Sequence, residues 1–200
     1  MSKGIIFSTE MVQTILDGRK TQTRRTIKPD VFNNFDICCV GGAIAWCDQE
    51  TGDFYPPTHC ARYGVGDVLY VKETWAVIPE SFSDAGGYTY RAAAPQPLNS
   101  YVVYTSPHKP IKWKPSIHMP RKAARIWLKI TGVKAERLHD ISDADCCAEG
   151  IDWRGSLDFR RTFKALWERI HGKGSWLDNP WVWVYEFERC EKPEVEDGEN

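Results

Sequence analysis

The sequence predicts an α+β fold in which short strands form a compact barrel and two or three helices flank it. Three observations lead to this prediction. Short runs of alternating, β-branched or aromatic residues recur along the chain, which is typical of strands. Only a few segments repeat apolar residues at helical spacing. The sequence has no glycine-rich phosphate loop, so a doubly wound, dinucleotide-binding sheet is not favoured.

The predicted elements of the first half include a basic extended segment. Residues 3–7 form a short apolar run that predicts a strand. The helix that follows has a hydroxyl residue to cap it and ends at Gly18, which can adopt a positive φ. Residues 19–25 are then extended, so alternate side chains face opposite ways. One side carries Lys20, Gln22 and Arg24, and the other carries Thr21, Thr23 and Arg25. A turn containing Gly and Asp introduces a further strand at residues 68–72.

The second half contains further predicted strands and two helices. Residues 101–105 form a short strand, and residues 125–133 alternate apolar and polar side chains as a half-buried strand does. Residues 142–150 predict a short helix with an acidic first turn and a terminal glycine. A longer helix carries an apolar stripe over residues 159–172. Residues 181–187 are rich in β-branched and aromatic residues and predict the clearest strand.

The chain is predicted to form a single domain over residues 1–190. Two stretches, about residues 30–64 and 79–100, show no periodicity and are rich in loop-forming residues, so they are predicted to be loop insertions. Residues 191–200 hold five acids and one lysine and have little to bury, so they are predicted to be a disordered acidic tail.

Charges are segregated along the chain, although its net charge is only −1. Residues 19–28 contain five basic residues and no acid, and residues 107–137 contain nine basic residues and one acid. Such segregation favours a surface that binds a polyanion, such as RNA or single-stranded nucleic acid. The alternative is an ordinary solvated surface, although such a surface usually intersperses both signs.

Hydropathy and cysteine patterns predict a cytoplasmic protein with no membrane segment, metal or cofactor. No apolar run approaches the roughly 20 residues of a membrane span, and the apolar stretch at the N-terminus is too short for a signal peptide. Seven cysteines, including two adjacent pairs, suit a reducing compartment better than a disulfide framework. None has the Cys-x2-Cys spacing of a structural zinc site, so free thiols are preferred over zinc ligands.

Three segments together resemble the ASCH family of the PUA-like superfamily. Residues 15–24 are similar to its helix–Gly–x–Lys–Thr–x–Thr–x–Arg motif. Residues 65–71 resemble its Gly-Asp strand entry, and residues 141–150 resemble its short acidic helix that ends in Glu-Gly. The terminal strand at residues 180–187 also fits. The resemblance implies a PUA-like β-barrel with flanking helices and leaves the two insertions unmatched.

The resemblance is closest to a larger subgroup found in phage and prophage genomes, on residues 73–75, 113–121 and 179–183. The family is implicated in RNA binding and in the handling of modified nucleosides. One compact member is an amidohydrolase that removes acetyl from N4-acetylcytidine by means of a Lys, a Thr and a Glu. Those positions correspond in this sequence to Lys20, Thr23 and Glu149.

An amidohydrolase with these three residues is chemically coherent. A Thr23 hydroxyl becomes a nucleophile when a neighbour removes its proton, and a desolvated Lys20 with a lowered pKa can do so. Glu149 can protonate the leaving amine. Lys20 and Thr23 are three residues apart and face opposite ways on an ideal strand, so a bend after Gly18 is required. The alternatives are a phosphate contact for Lys20, a barrel ladder position for Thr23 and a helix end for Glu149.

Residues 113–121 are predicted to form a wall of a binding pocket. Two prolines stiffen this segment, Ser116 offers a hydroxyl, His118 titrates near neutrality and Arg121 offers a bidentate fork for phosphate. A structural turn between two strands is the alternative. Glu73, just beyond a strand, is interpreted as an ordinary surface carboxylate in preference to a second acid of the pocket.

These patterns lead to three functional hypotheses. The first is binding of RNA or a modified nucleoside in a basic cleft formed by residues 19–25 and 113–125. The contact residues predicted for that cleft are Arg19, Arg24, Arg25, Lys114, Ser116, His118 and Arg121. The second is an amidohydrolase that cleaves the amide C–N bond of an N4-acetylcytidine-like nucleoside. The third is a non-catalytic partner of a phage or host protein, with the acidic tail as the contact.

One geometric prediction links the first two hypotheses. Lys20, Thr23 and Glu149 are expected to converge on one cleft, with Lys20 held by Glu149 or by a bound anion. Residues 115–120 are expected to form the opposite wall of this cleft. Lys20 is expected to be exposed, so Lys20→Ala should cost about half a kcal/mol of stability or less.

Overall fold

The structure is a computed structural model, and it divides into two compact units. It describes residues 3–27, 35–40, 43–55, 60–78, 87–93, 104–106, 109–110, 112–152 and 158–194. The first unit comprises the described residues up to 18, those within 68–129, and those from 189 onward. The second unit comprises the described residues within 19–67 and 130–188.

Strands and helices are mixed along the chain, which confirms the α+β class. In chain order the strands are β1 (Lys3–Ile6), β2 (Gln22–Thr26), β3 (Phe35–Val40), β4 (Ala43–Asp48), β5 (Phe54–Tyr55), β6 (Val68–Lys72), β7 (Trp75–Ile78), β8 (Gly87–Tyr90), β9 (Tyr104–Ser106), β10 (Lys109–Pro110), β11 (Trp127–Arg137) and β12 (Trp181–Cys190). The α-helices are α1 (Thr9–Leu16), α2 (Asp143–Ala148) and α3 (Phe159–His171). Among the described residues, no helix combines the length and the hydropathy that crossing a membrane requires.

In the first unit, β1 pairs in parallel with β6, and β6 pairs antiparallel with the first residues of β11. β7 and β8 form an antiparallel hairpin. α1 begins where the Ser8 hydroxyl accepts a hydrogen bond from the Met11 N–H at 3.3 Å, as its sequence predicted. The helix buries Val12 and Ile15. This unit also holds the segment 112–126, which carries several of the predicted contact residues.

In the second unit, β12 lies between β11 and β2. β12 pairs antiparallel with β2, and Val184 lies opposite Arg24 in that register. The apolar cluster of this unit joins β12 to α2 and α3. Its buried members are Leu138, Ile141, Cys146, Phe163, Trp167, Trp176, Val182 and Val184. Because register partners share a face, α2 covers the face of β2 that carries Arg24.

The prediction of a loop over residues 30–64 was wrong within the described part of that stretch. β3, β4 and β5 form an antiparallel sheet there. Trp46 of β4 is fully buried, and its ring centre lies 6.0 Å from that of Trp183 in β12. The predicted insertion therefore contributes to the core of the second unit. Residues 28–34, 41–42 and 56–59 lie outside the described residues.

The second predicted insertion, residues 79–100, also contains regular structure. β8 pairs with β7, and a short 3-10 helix follows it over Arg91–Ala93. Residues 79–86 and 94–103 lie outside the described residues, so the predicted strand at 101–105 is described only from Tyr104. Of the predicted acidic tail, residues 195–200 lie outside the described residues as well.

Candidate functional site

Lys20 and Glu149 form a buried ion pair in the second unit. Lys20 Nζ donates hydrogen bonds to Glu149 Oε2 at 2.6 Å and to the Glu149 backbone carbonyl at 2.9 Å. Lys20 is 2% exposed and Glu149 is 4% exposed. The predicted contact between the two residues is therefore present. The expectation of an exposed Lys20 was wrong, because its ammonium group is enclosed at the C-terminal end of α2.

Local sequence signals position the carboxylate of this pair. Ser142 and Asp145 form a capping box at the start of α2, in which Ser142 Oγ accepts from the Asp145 N–H at 3.1 Å. Glu149 is the C-cap of that helix, and Gly150 leaves it at a φ of 97°. Residues with a Cβ rarely adopt this φ, so glycine permits the chain to turn sharply at the end of α2.

Two backbone hydrogen bonds hold the segment that carries the lysine. The Thr21 N–H donates to the Ala148 carbonyl at 2.8 Å, and the Phe187 N–H donates to the Thr21 carbonyl at 2.8 Å. Thr21 follows Lys20, and Ala148 precedes Glu149. The first of these bonds therefore brings the backbones next to Lys20 and Glu149 together.

Arg24 of β2 contacts four side chains, which come from β2, β11, α2 and the C-cap of α2. Its Nε and Nη2 donate to Glu136 Oε1 at 3.0 Å and 2.6 Å, and its Nη1 donates to Gln22 Oε1 at 2.7 Å and to Glu149 Oε1 at 3.2 Å. Nη2 also lies 3.5 Å from Asp145 Oδ2. These contacts comprise four hydrogen bonds and one further ion pair of a side chain that is 1% exposed. The predicted contact of Arg24 with phosphate stays a prediction.

The resulting ion network balances its own charge and extends from the buried Lys20 and Arg24 to the half-exposed Lys134. We define it by three cations and three carboxylates: Lys20, Arg24, Lys134, Glu136, Asp145 and Glu149. Strand alternation predicted that Lys20, Gln22 and Arg24 share one side, and the contacts agree with that prediction. Sequence reasoning missed the roles of Glu136 and Asp145, because nothing local marks them as partners of a residue in β2.

Burial changes the acid–base properties of this network. Removal from water lowers the pKa of Lys20, and the charge and hydrogen bond of Glu149 oppose this effect in part. Burial alone would raise the pKa of Asp145, but hydrogen bonds from Ser142 and the charge of Arg24 bring it below its usual value. Asp145 thus stays ionised, whereas Lys20 gains the ability to release its proton closer to neutral pH.

Thr23, the third predicted catalytic residue, is 2% exposed in β2. It pairs with Tyr185 of β12, whose ring packs edge-on against Tyr63 at 5.1 Å between ring centres. Because Thr23 lies between Gln22 and Arg24, strand alternation directs its side chain to the face opposite theirs. The structure therefore brings Lys20 and Glu149 together on the α2 side, while Thr23 faces a different set of neighbours.

Two other predicted contact residues of this segment reach solvent. Arg19 is exposed, and its Nη1 donates to the Gly150 carbonyl at 3.3 Å. Arg25 is partly exposed and lies near His171 of α3. Burial lowers the pKa of His171, and the positive charge of Arg25 adds to that effect. A phosphate contact by Arg19 or Arg25 stays a prediction.

A cavity of about 290 Å³ lies next to the ion pair in the second unit. Its lining residues are Thr21, Gln22, Thr131, Ala148, Glu186 and Phe187. Thr21 and Ala148 are the direct chain neighbours of Lys20 and Glu149. The cavity therefore offers hydroxyl, amide and carboxylate groups beside the buried pair, with a volume suited to a small polar ligand.

The predicted pocket wall, residues 113–121, lies in the first unit. Pro115 and Pro120 each precede a short 3-10 helix, as their fixed φ favours. Ser116 is partly exposed and His118 is exposed. Both polar groups can therefore meet a ligand from solvent. Their position relative to the Lys20–Glu149 pair stays a prediction.

Two basic residues of the first unit lie over aromatic rings. Lys114 Nζ is 4.9 Å from the centre of the Trp75 ring, and the Arg121 guanidinium carbon is 5.4 Å from that of Trp127. Both cations are exposed. The predicted contacts of Lys114 and Arg121 with nucleic-acid phosphate stay predictions.

The interpretation of Glu73 as a surface carboxylate was wrong. Glu73 is 1% exposed and accepts from Arg125 Nε at 2.9 Å and from Arg125 Nη2 at 3.0 Å. Arg125 also lies over the Tyr90 ring, 4.2 Å from its centre. The paired arginine makes burial of the carboxylate possible. No signal near Glu73 in the sequence points to a partner 52 residues away.

The described residues include no group of three or more His, Cys, Asp or Glu side chains placed to hold a metal ion. No protein-family model, no curated protein and no solved structure matches this chain.

Proposed function

We propose that this chain is an ASCH-type domain with a PUA-like barrel that binds RNA or a modified nucleoside, with the nucleoside in the cavity beside the Lys20–Glu149 pair. The observation that carries the proposal is this polar cavity, whose lining includes the chain neighbours of both members of a buried ion pair. A buried group with a perturbed pKa and a specific charge partner, next to a cavity, is a typical mark of a functional site.

The size of the cavity supports a single nucleoside as the occupant. Its volume of about 290 Å³ is just below the range of small-molecule sites, which span roughly 300–1,000 Å³. Thr21 and Thr131 supply hydroxyl groups that both donate and accept, which suits a ribose or a base edge. The ion network holds Gln22 in place through Arg24, so this part of the lining is preorganised.

The phosphate groups of an RNA ligand require other residues. Arg24 is buried in the ion network, so the proposed contacts are Arg19 and Arg25 in the second unit and Lys114 and Arg121 in the first. Ser116 and His118 are proposed to add polar contacts. Each phosphate that such a residue neutralises releases a counterion, so affinity for single-stranded RNA should fall with salt, with a slope of about −0.7 per phosphate contact.

Fluorescence anisotropy with a labelled single-stranded RNA tests this proposal at several salt concentrations. Thr131→Trp, which fills the cavity, should weaken binding at least about 10-fold, in line with a displaced nucleoside. The control is Lys129→Trp, which is exposed on the same strand but outside the cavity lining. An RNA affinity that changes neither with salt concentration nor in Thr131→Trp would refute the proposal.

Amide hydrolysis is a second candidate, favoured by the lowered pKa of Lys20 beside a carboxylate. Transfer of one proton across the 2.6 Å contact from Lys20 to Glu149 creates a neutral amine base and a carboxylic acid together. The Thr23 hydroxyl would attack the acetyl carbon of N4-acetylcytidine and pass its proton to Lys20, which requires the backbone around β2 to turn Thr23 from the opposite face toward Lys20. The C–N bond then breaks as Glu149 protonates the leaving amine, and water hydrolyses the acetyl-threonine ester.

Incubation with N4-acetylcytidine, followed by chromatography of released cytidine, tests this candidate. Wild type should release cytidine and Thr23→Val should not, because the nucleophile is gone. Thr26→Val is the matched control, since Thr26 is exposed on the same strand. A wild-type protein that binds the nucleoside and releases no cytidine would leave binding as the function and eliminate hydrolysis.

A further inference from the structure

The cavity beside the ion pair contains a carboxylate to which the proposed function assigns no role. Glu186 is exposed on β12 and lies opposite Gln22, so both side chains share one face of the sheet. Within the described part of the chain, no hydrogen bond or ion pair engages the Glu186 carboxylate. Gln22 is different, because its amide accepts from Arg24 and is hydrogen-bonded to Asp145. Glu186 is therefore the charged group that the cavity offers to a ligand.

Gly132 of β11 makes room for this carboxylate. A Cβ added at Gly132 would stand 2.6 Å from Glu186 Oε2 and 3.1 Å from Glu186 Cδ. Glycine weakens a strand and often marks a close approach of another group. Here the approaching group is the end of the Glu186 side chain, which lies across β11 because no side chain occupies that position.

We infer that Glu186 is a specificity-determining residue, which accepts hydrogen bonds from a nucleobase in this cavity and selects a base with an exocyclic amino group over uracil. The inference rests on the proposed nucleoside binding. An ionised carboxylate only accepts hydrogen bonds, so its partner has to present N–H groups. The N4 amino group of cytosine is such a donor.

Uracil presents a carbonyl oxygen where cytosine presents its amino group. Two acceptors facing each other repel, and binding of uracil would displace water from the exposed Glu186 carboxylate without giving it a donor. A site that hydrogen-bonds an N–H group therefore discriminates against an analogue that lacks it. Gly132 contributes by leaving the space in which the Glu186 carboxylate lies.

Isothermal titration with cytidine and with uridine tests the inference on the full chain. Wild type should bind cytidine at least about 10-fold more tightly than uridine, the ratio expected for one hydrogen bond to a charged group. Glu186→Gln should reduce this preference to about 3-fold or less, because the new amide also donates and can bond the uracil carbonyl.

Gly132→Ala is a second variant that keeps the carboxylate but displaces it. The clash involves the far end of a flexible side chain, so the fold should tolerate the change while the preference for cytidine falls. Glu188→Gln is the matched control, since Glu188 is exposed on the same strand and outside the cavity lining. The control should retain the wild-type ratio.

The outcomes separate this inference from the proposed function. Equal binding of cytidine and uridine by wild type, or an unchanged ratio in Glu186→Gln, would overturn the role of Glu186 and leave nucleoside binding intact. Binding of neither nucleoside by wild type would overturn the proposed function and this inference with it. A ratio that falls in both cavity variants and persists in Glu188→Gln supports the inference.

Discussion

Replacement of Lys20 by alanine should destabilise this protein strongly, because Lys20 is buried against Glu149. Removing one partner of a buried ion pair usually costs about 3–5 kcal/mol, since the other charge is left without compensation. Arg24 Nη1 stays 3.2 Å from Glu149 Oε1, so part of the compensation remains. We therefore expect a loss near the lower end, about 3 kcal/mol. For a chain of this size, that loss lowers the midpoint of thermal unfolding by about 6–12 °C.

Urea denaturation of the wild type and of two further variants tests this reasoning. Lys129→Ala is the control, because Lys129 is exposed and its loss should cost about half a kcal/mol or less. The double variant Lys20→Met/Glu149→Gln should recover at least half of the lost stability, because neither charge remains and the amide that replaces the carboxylate can still accept from Arg24. A Lys20→Ala protein within about 1 kcal/mol of wild type would refute the buried pair.

Three further predictions concern the same networks. Glu149→Gln removes the carboxylate that raises the pKa of Lys20, so the pKa of Lys20 in the folded protein falls further below its value in the unfolded chain. Between these two pKa values the unfolded state binds more protons than the folded state, so stability increases with pH. The stability deficit of this variant should shrink as the pH rises from 7 toward about 10.4, and urea curves showing a constant deficit would contradict it. Arg24→Lys loses the planar fork that contacts Glu136 and should cost about 2–3 kcal/mol by urea denaturation, whereas a cost below about 1 kcal/mol would argue against that contact. Glu73→Gln should lower stability by about 1–3 kcal/mol and leave nucleoside affinity within about 2-fold of wild type; lost affinity at unchanged stability would assign Glu73 to the binding site instead.

Local signals predicted much of the frame of this protein. The strand predicted at residues 181–187 corresponds to β12, and the helix predicted from Ser142 to Gly150 contains α2 with its capping box. Such signals work because helix caps, glycine exits and strand alternation depend on residues within about four positions of each other. The resemblance of residues 15–24 and 141–150 to ASCH segments also singled out Lys20 and Glu149 before any contact was known.

The sheet formed by β3, β4 and β5 was not predicted by local sequence patterns. Its strands show no alternation that predicts them, and pairing between neighbouring strands supplies the hydrogen bonds that hold them. Burial of Trp46 depends on its contact with Trp183, which lies far along the chain. A residue pattern that lacks a period therefore did not exclude a strand.

The sequence predicted which side chains of the site share a face, whereas the tertiary structure determined which of them are buried. Alternation along β2 was enough to place Gln22 and Arg24 on one side, but it does not say what covers that side. Only the tertiary structure showed that α2 covers it, with Lys20 meeting Glu149 across 129 residues and Arg24 meeting Glu136 across 112. Burial lowers the pKa of Lys20, and the groups that bury it come from elements far away in the sequence. The carboxylates that accept hydrogen bonds from Arg24 are likewise distant in sequence, so only the fold brings them together.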